Sequence, residues 1–376
     1  MMNVPDKLRL LIVESDIAQR DIFRTCCHQL TDIAVESIVP TGHIALDKIA
    51  RQAVDVILLD YAITDFSLSD FTKKLIGLNP DIGIILTVPE NDQQAAVKAV
   101  EALAAGAFDF VLKPSEHDQD ACAVLQRRVL PKIRSFSIRR YSRRAQRTSP
   151  AVPQHASIDT AQNALLHLQK NIDRIEAASG NSVAPELVLI GVSTGGPEAL
   201  LKVIPQIPSN FPLPVIIVLH MPKLFTGPMA QTLSCASRIP VTEVADNNTE
   251  LKPGNAYLAP GGIHLEIHRE TRNRLVTRFS DAPPENGCRP AVDVLFRSAA
   301  SVVKGQAIAV VLTGMGSDGA KGVALLKAQG AYIIAQDETT SVVWGMPGCI
   351  TRDGTADTVL PLTEIVPHIV KRVTPL

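Results

Sequence analysis

The chain contains the stretch Leu187-Val188-Leu189-Ile190-Gly191-Val192-Ser193-Thr194-Gly195-Gly196-Pro197, which decides the fold of its second half. A short apolar run followed by a glycine-rich turn and an early proline predicts a buried strand that leads into a helix. The turn also reads Gly-x-Ser-x-Gly, which exposes a serine beyond the sheet and offers backbone N–H groups to a developing oxyanion. Ser193 is therefore a candidate nucleophile, with a plain turn or a phosphate-binding loop as the alternatives.

Further apolar runs in the same half end at polar or glycine-rich loops. They predict three more strands of an α/β sheet: Val215–Leu219, Ile308–Leu312 and Tyr332–Ala335. Ligand sites in such sheets gather at the carboxyl ends of the strands. His220 follows the first of these runs and can supply a general base, while Asp318 lies in the loop after the second and can orient the imidazole. A histidine that caps a carbonyl and an aspartate that caps a helix are the structural alternatives.

The first half alternates short apolar runs with helical patterns such as Asp92–Ala105. Five strands are predicted: Leu8–Val13, Ala34–Val39, Val54–Leu59, Ile82–Leu86 and Phe108–Leu112. This alternation is typical of a doubly wound five-stranded parallel sheet. We therefore expect an α/β protein of two doubly wound domains, at residues 1–120 and 185–376.

Residues 121–184 are predicted to link these domains. Nine lysine and arginine residues, and no acidic residue, lie between Arg127 and Arg147. Such a run is typical of a solvated linker, or of a patch that binds an anionic partner. Farther on, Thr160–Ala178 places apolar residues on one helical face, which predicts a docking helix or a spacer.

The composition is that of an ordinary globular protein: 376 residues, 46% of them hydrophobic, with a formal net charge of -1. It indicates neither nucleic-acid binding nor membrane insertion. No signal peptide is recognisable and no apolar run approaches about 18 residues, so a cytoplasmic location is expected. The six cysteines show no C-x-x-C spacing, which predicts neither a zinc site nor a disulfide framework.

The loop after the predicted strand Ile308–Leu312 also matches a dinucleotide fingerprint. It reads Gly314-x-Gly316-x-x-Gly319, with Asp337 about twenty residues farther on. However, Asp318 would place a carboxylate where a pyrophosphate must bind, and too few residues follow Asp337 to complete a dinucleotide fold. A nucleotide-binding regulator is therefore a minor alternative.

Six stretches of the second half resemble, in the same order, the CheB-type chemotaxis protein-glutamate methylesterase domain. They are Val192–Pro197, Leu219–Pro222, Leu258–His264, Cys288–Phe296, Leu312–Gly319 and Ala335–Glu338. The resemblance implies a Rossmann-like methylesterase domain with Ser193 as nucleophile, His220 as base and Asp318 as the residue that orients the base. By the same comparison the backbone N–H of Met315 is an oxyanion donor, and Thr194 and His264 belong to the architecture of the site.

The resemblance further implies hydrolysis of glutamyl methyl esters, and deamidation of glutamines, on methyl-accepting chemotaxis receptors. No cofactor or metal is implied for this reaction. An adaptor that binds receptors without catalysis is the competing interpretation. The presence of all three triad residues argues against it, because a binding surface does not require them.

Residues 1–120 resemble a flavodoxin-like response-regulator receiver. The resemblance implies that Asp60 accepts a phosphoryl group, with a CheA-type histidine kinase as the phosphodonor, and that Thr87 and Lys113 sense it. Glu14 and Asp60 would hold Mg²⁺. Ser15 stands where the family has a second acid, so a weak metal site is predicted.

Overall fold

The computed structural model describes residues 7–27, 33–114, 118, 120–148 and 184–373. The predicted helix Thr160–Ala178 lies outside these residues. Within them, the chain forms two α/β units, each with a fully parallel main sheet, which confirms the predicted fold class. No helix in these ranges combines the length and the apolar character needed to cross a bilayer.

The sheet of the first unit has the strand order β2-β1-β3-β4-β5. Its strands are β1 (Leu8–Val13), β2 (Ile33–Val39), β3 (Val56–Asp60), β4 (Gly83–Val88) and β5 (Asp109–Leu112), and its helices are α1 (Ile17–Cys27), α2 (Gly42–Arg51), α3 (Leu68–Leu78), α4 (Gln93–Ala104) and α5 (Ala121–Thr148). Every residue of β3 and β4 is buried, as expected for central parallel strands covered by helices on both faces.

Helix α5, which begins at the predicted boundary of residue 120, packs on the first unit. Its residues Leu125, Val129, Ile133 and Phe136 are buried in one apolar cluster with β1 and β3. They recur at the three- and four-residue spacing of one helical face. The many basic residues between them concealed this apolar face in the sequence.

Several of those basic residues bind the first unit itself. Lys132 pairs with Asp109 at 2.6 Å, and Arg140 pairs with the buried Asp55 at 2.6 Å. The guanidinium of Arg128 donates to the carbonyl of Leu112 at 3.0 Å. At these positions, the basic run stabilises the attachment of α5 and is neither a solvated linker nor a surface for an anionic partner.

The main sheet of the second unit has seven strands in the order β14-β13-β12-β6-β7-β9-β8, beside a separate antiparallel hairpin, β10-β11. The strands are β6 (Leu187–Val192), β7 (Val215–Leu219), β8 (Val241–Glu243), β9 (Ala256–Leu258), β10 (His264–Thr271), β11 (Arg274–Ser280), β12 (Ala307–Val311), β13 (Tyr332–Gln336) and β14 (Thr358–Leu360). The helices are α6 (Gly196–Val203), α7 (Lys223–Ala236), α8 (Val292–Val303), α9 (Ala320–Ala328), α10 (Met346–Arg352) and α11 (Ile365–Val373).

This strand order creates a switch point at β6. The chain leaves β6 for β7 on one side and later returns to β12 on the other side. The carboxyl ends of these three adjacent strands carry Ser193, His220 and the loop 312–319. Ligand sites of open α/β sheets form at such a point.

The two units share a continuous apolar interface. One hydrophobic cluster contains buried residues of both sheets, and helix α4 packs on helix α7. The ring of Phe110 stacks on that of Phe225, with centroids 4.4 Å apart and planes 11° apart. The first unit therefore rests on the helix that begins three residues after His220.

Candidate active site

The turn that carries Ser193 depends on glycine. Gly195 has a φ of 77°, in the left-handed region, and a Cβ atom added to it would lie 2.4 Å from Val342. A Cβ atom on Gly314, in the neighbouring loop, would lie 2.9 Å from the Cβ of Ser193. The amide of Ser193 donates to the carbonyl of Thr313 at 3.0 Å. Close backbone approach thus fixes Ser193 at the end of β6, where it stays partly exposed.

Asp318 is held by several donors at one end of helix α8. Its carboxylate accepts from the amides of Val292 at 2.7 Å and Asp293 at 3.0 Å, in the first turn of that helix. The amide of Gly319 and the side chain of Asn286 also donate to it. The first N–H groups of a helix favour negative charge. Asp318 therefore binds the start of α8, and Gly319 is the N-cap of the following helix α9.

The fifth donor to Asp318 is His220, whose Nε2 lies 2.8 Å from Oδ2. The His220 side chain is 11% exposed and that of Asp318 is 3% exposed. Burial favours the neutral carboxylic acid, but the bonds from His220 and the backbone amides prevail and hold the pKa of Asp318 below its usual range. The structure thus brings together two of the three predicted triad residues as an imidazole–carboxylate pair.

Burial alone would lower the pKa of His220, but the hydrogen bond to Asp318, followed by the contact with Cys288, raises that pKa to about 9. Because Nε2 donates to the carboxylate, Nδ1 is the atom left to accept a proton. The Cys288 thiol lies 3.4 Å from Nδ1.

The hydroxyl of Ser193 has no hydrogen-bond partner among the described residues, so the structure does not form the predicted contact between Ser193 and His220. Catalytic hydrogen bonds often form only in the complex with substrate. The observed Cys288 contact lies on the ring nitrogen that such a bond would use.

Asn286 is a site residue that sequence reasoning missed. Its Nδ2 donates to Asp318 and to Asp293, at 2.9 Å in both cases. Asp293 is buried and also accepts from the amide of Gly322 at 2.7 Å. Burial, and then the charge of Asp318, raises the pKa of Asp293. Asn286 lies two residues before the stretch Cys288–Phe296, and this closeness to a family motif was the one signal of its role in the sequence.

His264 holds the loop that carries Asn286 and Cys288. Its ring is fully buried, with Nδ1 accepting from the amide of Ala291 at 3.1 Å and Nε2 donating to the carbonyl of Pro283 at 3.1 Å. These bonds close the two ends of the loop. His264 therefore lies beside the site as a structural support.

Thr194 and Met315 flank Ser193. Thr194 is buried, and its carbonyl accepts from the hydroxyl of Thr313 at 2.9 Å. Met315 is 53% exposed, and its backbone N–H has no acceptor within the described ranges. That N–H is available to a bound ligand, as an oxyanion donor must be.

The first unit brings its predicted phospho-acceptor residues together at a second site. The Nζ of Lys113 lies 2.8 Å from Asp60 and 2.9 Å from Glu14, and both carboxylates are buried. Thr87 pairs with Asp60 in the sheet register, and its buried hydroxyl has no partner in the described structure. The geometry suits a phosphoryl acceptor with an adjacent ammonium and hydroxyl.

The donors available for Mg²⁺ at this site are weak. The Ser15 hydroxyl donates to Asp60 at 2.5 Å and brings no charge, and the exposed Asp16 accepts from the amide of Gln19 in helix α1. Burial, and then the charge of Asp60, raises the pKa of Glu14 to about 7. Mg²⁺ prefers ionised carboxylates and water in octahedral geometry. In this arrangement Asp16 accepts from helix α1 and Ser15 adds no charge, so a weak Mg²⁺ site at Glu14 and Asp60 stays the prediction.

The two units correspond to two known families. Residues 188–369 match the family model described as CheB methylesterase, and residues 10–124 match the one described as response regulator receiver domain. The second match extends into helix α5, consistent with its place in the first unit.

Relatives cover nearly the whole chain. A protein-glutamate methylesterase/protein-glutamine glutaminase of Trichodesmium erythraeum (strain IMS101) is 34% identical, over 98% of this chain and 99% of that protein. A protein of the same name from Desulfotalea psychrophila (strain LSv54 / DSM 12343) is 36% identical, over 97% and 98%. Among solved structures, the crystal structure of the Thermotoga maritima CheB methylesterase catalytic domain matches with 41% sequence identity. The match covers 50% of this chain and 99% of that chain, with a TM-score of 0.49. The two full-length relatives show that the chain belongs to the CheB methylesterase family, with a receiver domain in front of the esterase domain.

Proposed function

We propose that this protein hydrolyses glutamyl methyl esters, and deamidates glutamines, on methyl-accepting chemotaxis receptors. The observation that carries the proposal is the His220–Asp318 pair at the carboxyl edge of the sheet, near the partly exposed Ser193. The names of the full-length relatives support the substrate class. Receptors of this kind, and a CheA-type histidine kinase as phosphodonor, are the proposed partners, and the cytoplasm is the proposed location.

In the proposed mechanism, the hydroxyl of Ser193 attacks the ester carbonyl while Nδ1 of His220 takes its proton. Nε2 stays bonded to Asp318, which stabilises the imidazolium formed. The N–H of Met315 donates to the oxyanion. Collapse of the tetrahedral intermediate breaks the ester C–O bond, and His220 returns the proton so that methanol leaves.

A glutamyl ester of Ser193 remains after this first half of the reaction. Nδ1 of His220 then takes a proton from water as the water attacks the ester, and it returns that proton to Ser193 as the glutamate is released. A glutamine side chain follows the same steps with ammonia as the first product. Every proton transfer is assigned to one atom, Nδ1 of His220.

The receiver is proposed to restrain this reaction through two contacts. Phe110 stacks on Phe225, near the start of the helix that follows His220. Val342 belongs to the apolar cluster of helix α5 and also contacts Gly195, two residues after Ser193. A phosphoryl group on Asp60 would act by changing these contacts.

The proposal is tested by methanol release from methylated receptors, with and without a small phosphodonor. The wild-type protein should release methanol. The Ser193→Ala variant should lose activity by a factor on the order of 10⁶, the loss that removal of the nucleophile causes in another triad hydrolase. Retention of more than about a tenth of the rate would exclude Ser193 from the mechanism, because a true nucleophile cannot be removed at so small a cost.

A further inference from the structure

Three residues from separate loops place metal-binding atoms together at the esterase site. Ligand atoms of His220, Cys288 and Asp318 all lie within 4.8 Å of one another. Cys288 and His220 are 68 positions apart in sequence. The expectation of no zinc site rested on the spacing of neighbouring cysteines, which does not detect ligands brought together by the fold.

The distance between the two nearest ligand atoms matches zinc geometry. Nδ1 of His220 and Sγ of Cys288 are 3.4 Å apart. A tetrahedral Zn²⁺ with ordinary Zn–N and Zn–S bond lengths separates two such ligands by roughly 3.5 Å. A single Zn²⁺ ion can therefore reach both atoms at about their observed separation.

The surroundings of the pair also suit a metal ligand. The Nε2 of His220 donates to Asp318, so Nδ1, once deprotonated, presents its lone pair toward Cys288. Metal-binding histidines usually have such a carboxylate on the other ring nitrogen. Cys288 is partly exposed, and the neighbouring residues 315–317 are exposed, which leaves an open path for the ion.

We propose that Nδ1 of His220 and the thiolate of Cys288 bind Zn²⁺, that Asp318 stays bonded to Nε2, and that water fills the remaining positions. Imidazole and thiolate together select zinc over hard cations such as Mg²⁺. Binding releases to solvent the thiol proton and, below the raised pKa of His220, the proton on Nδ1 as well. The site inhibits the esterase because the metal occupies the atom that accepts the Ser193 proton; this inhibition rests on the proposed function, whereas the binding does not.

Binding is tested with Co²⁺ as a spectroscopic probe of the full-length protein, after metal removal and without oxygen. Coordination by a thiolate produces a strong sulfur-to-cobalt absorption band, which Zn²⁺ should abolish by displacing Co²⁺. The band should be absent in Cys288→Ser and unchanged in Cys235→Ser, a matched loss of an exposed cysteine elsewhere. Circular dichroism checks that each variant is folded.

Inhibition is tested by methanol release during Zn²⁺ titration, followed by addition of a chelator. The chelator should restore the wild-type rate, and Cys288→Ser should need about tenfold or more Zn²⁺ for half-inhibition relative to its own metal-free rate. A wild-type protein without the thiolate band, or a folded Cys288→Ser variant as sensitive to Zn²⁺ as the wild type, would overturn the proposal. The cobalt band reports the site even if the esterase assignment fails.

Discussion

The esterase site and the receiver site both lie at the carboxyl ends of parallel strands, and each contains a buried carboxylate beside a basic side chain. Asp318 accepts from three backbone amides, Asn286 and His220, and its pKa is lowered. Glu14 has Lys113 on one side and the charge of Asp60 on the other, and burial raises its pKa to about 7.

The difference between the two sites lies in the donors. The hydrogen bond and the charge of His220, followed by the backbone amides at a helix end, keep Asp318 ionised despite its burial. Glu14 accepts from fewer groups and shares its ammonium with Asp60. The same kind of strand end therefore gives an imidazole–carboxylate pair in the esterase, and in the receiver a lysine shared by two carboxylates, one of which has a raised pKa.

After the loss of Ser193 itself, the largest expected effect is that of Asp318→Asn, which tests whether this carboxylate is needed for the reaction. The variant should lower turnover by about 10⁴, as the equivalent change does in another triad hydrolase, because the imidazole loses its orientation. Asp60→Asn is the matched control and should leave the unphosphorylated rate unchanged. Equal losses in both variants, measured by methanol release with folded proteins, would contradict the contrast between the sites.

The next largest effect should be the dependence of the esterase rate on pH. The base must be neutral to accept a proton, so a raised pKa of His220 moves the rising limb of the rate upward, toward about pH 9. Below that pKa the rate should rise about tenfold per pH unit. The profile is recorded with a chelator present. A limb near the ordinary histidine value of about 6.5 would show that Asp318 and Cys288 do not act on His220 as described.

Phe110→Ala tests the restraint by the receiver. Removing the stacked ring weakens the interface by roughly 0.5–1.5 kcal/mol, which should raise the basal esterase rate by up to about tenfold. Ile17→Ala, which truncates an exposed apolar side chain of the receiver, should change nothing. A Phe110→Ala protein that stays folded and keeps the wild-type basal rate would remove this contact from the restraint.

The smallest expected effect is a gain in Ser15→Asp. The added carboxylate supplies the negative charge that the site lacks for Mg²⁺. Metal affinity and the labelling rate of Asp60 by a small phosphodonor should therefore rise severalfold. Asp16→Asn is the control, because the Asp16 carboxylate accepts from the amide of Gln19 in helix α1. Rapid labelling of the wild type at sub-millimolar Mg²⁺, unchanged in Ser15→Asp, would contradict the description of a weak receiver site.

The sequence was most informative where apolar runs were long. Ser193, His220 and Asp318 could be placed at strand ends because each comes after a strand with at least four apolar residues. The strands β8, β9 and β14 have three residues each, which is too short to show a period. The apolar face of α5 was missed for a different reason, because many basic residues lie between its apolar positions.

The contacts of the site were harder to predict than its residues. Asn286 and Cys288 lie in a loop without periodicity, and their approach to Asp318 and His220 depends on the buried His264. A local pattern contains no information on such pairings across the fold. The contact of Cys288 with the base, in place of Ser193, is the main feature that sequence reasoning did not foresee.

The central claim is that Ser193 is the nucleophile and that His220 with Asp318 activates it. The most direct test is to treat the protein with a serine-directed phosphonate and to locate the added mass by peptide mass spectrometry. The account predicts a single modification on the peptide that contains Ser193, formed much more slowly in Asp318→Asn. Modification of Cys288 instead, or labelling of Ser193 at the same rate in Asp318→Asn, would contradict it.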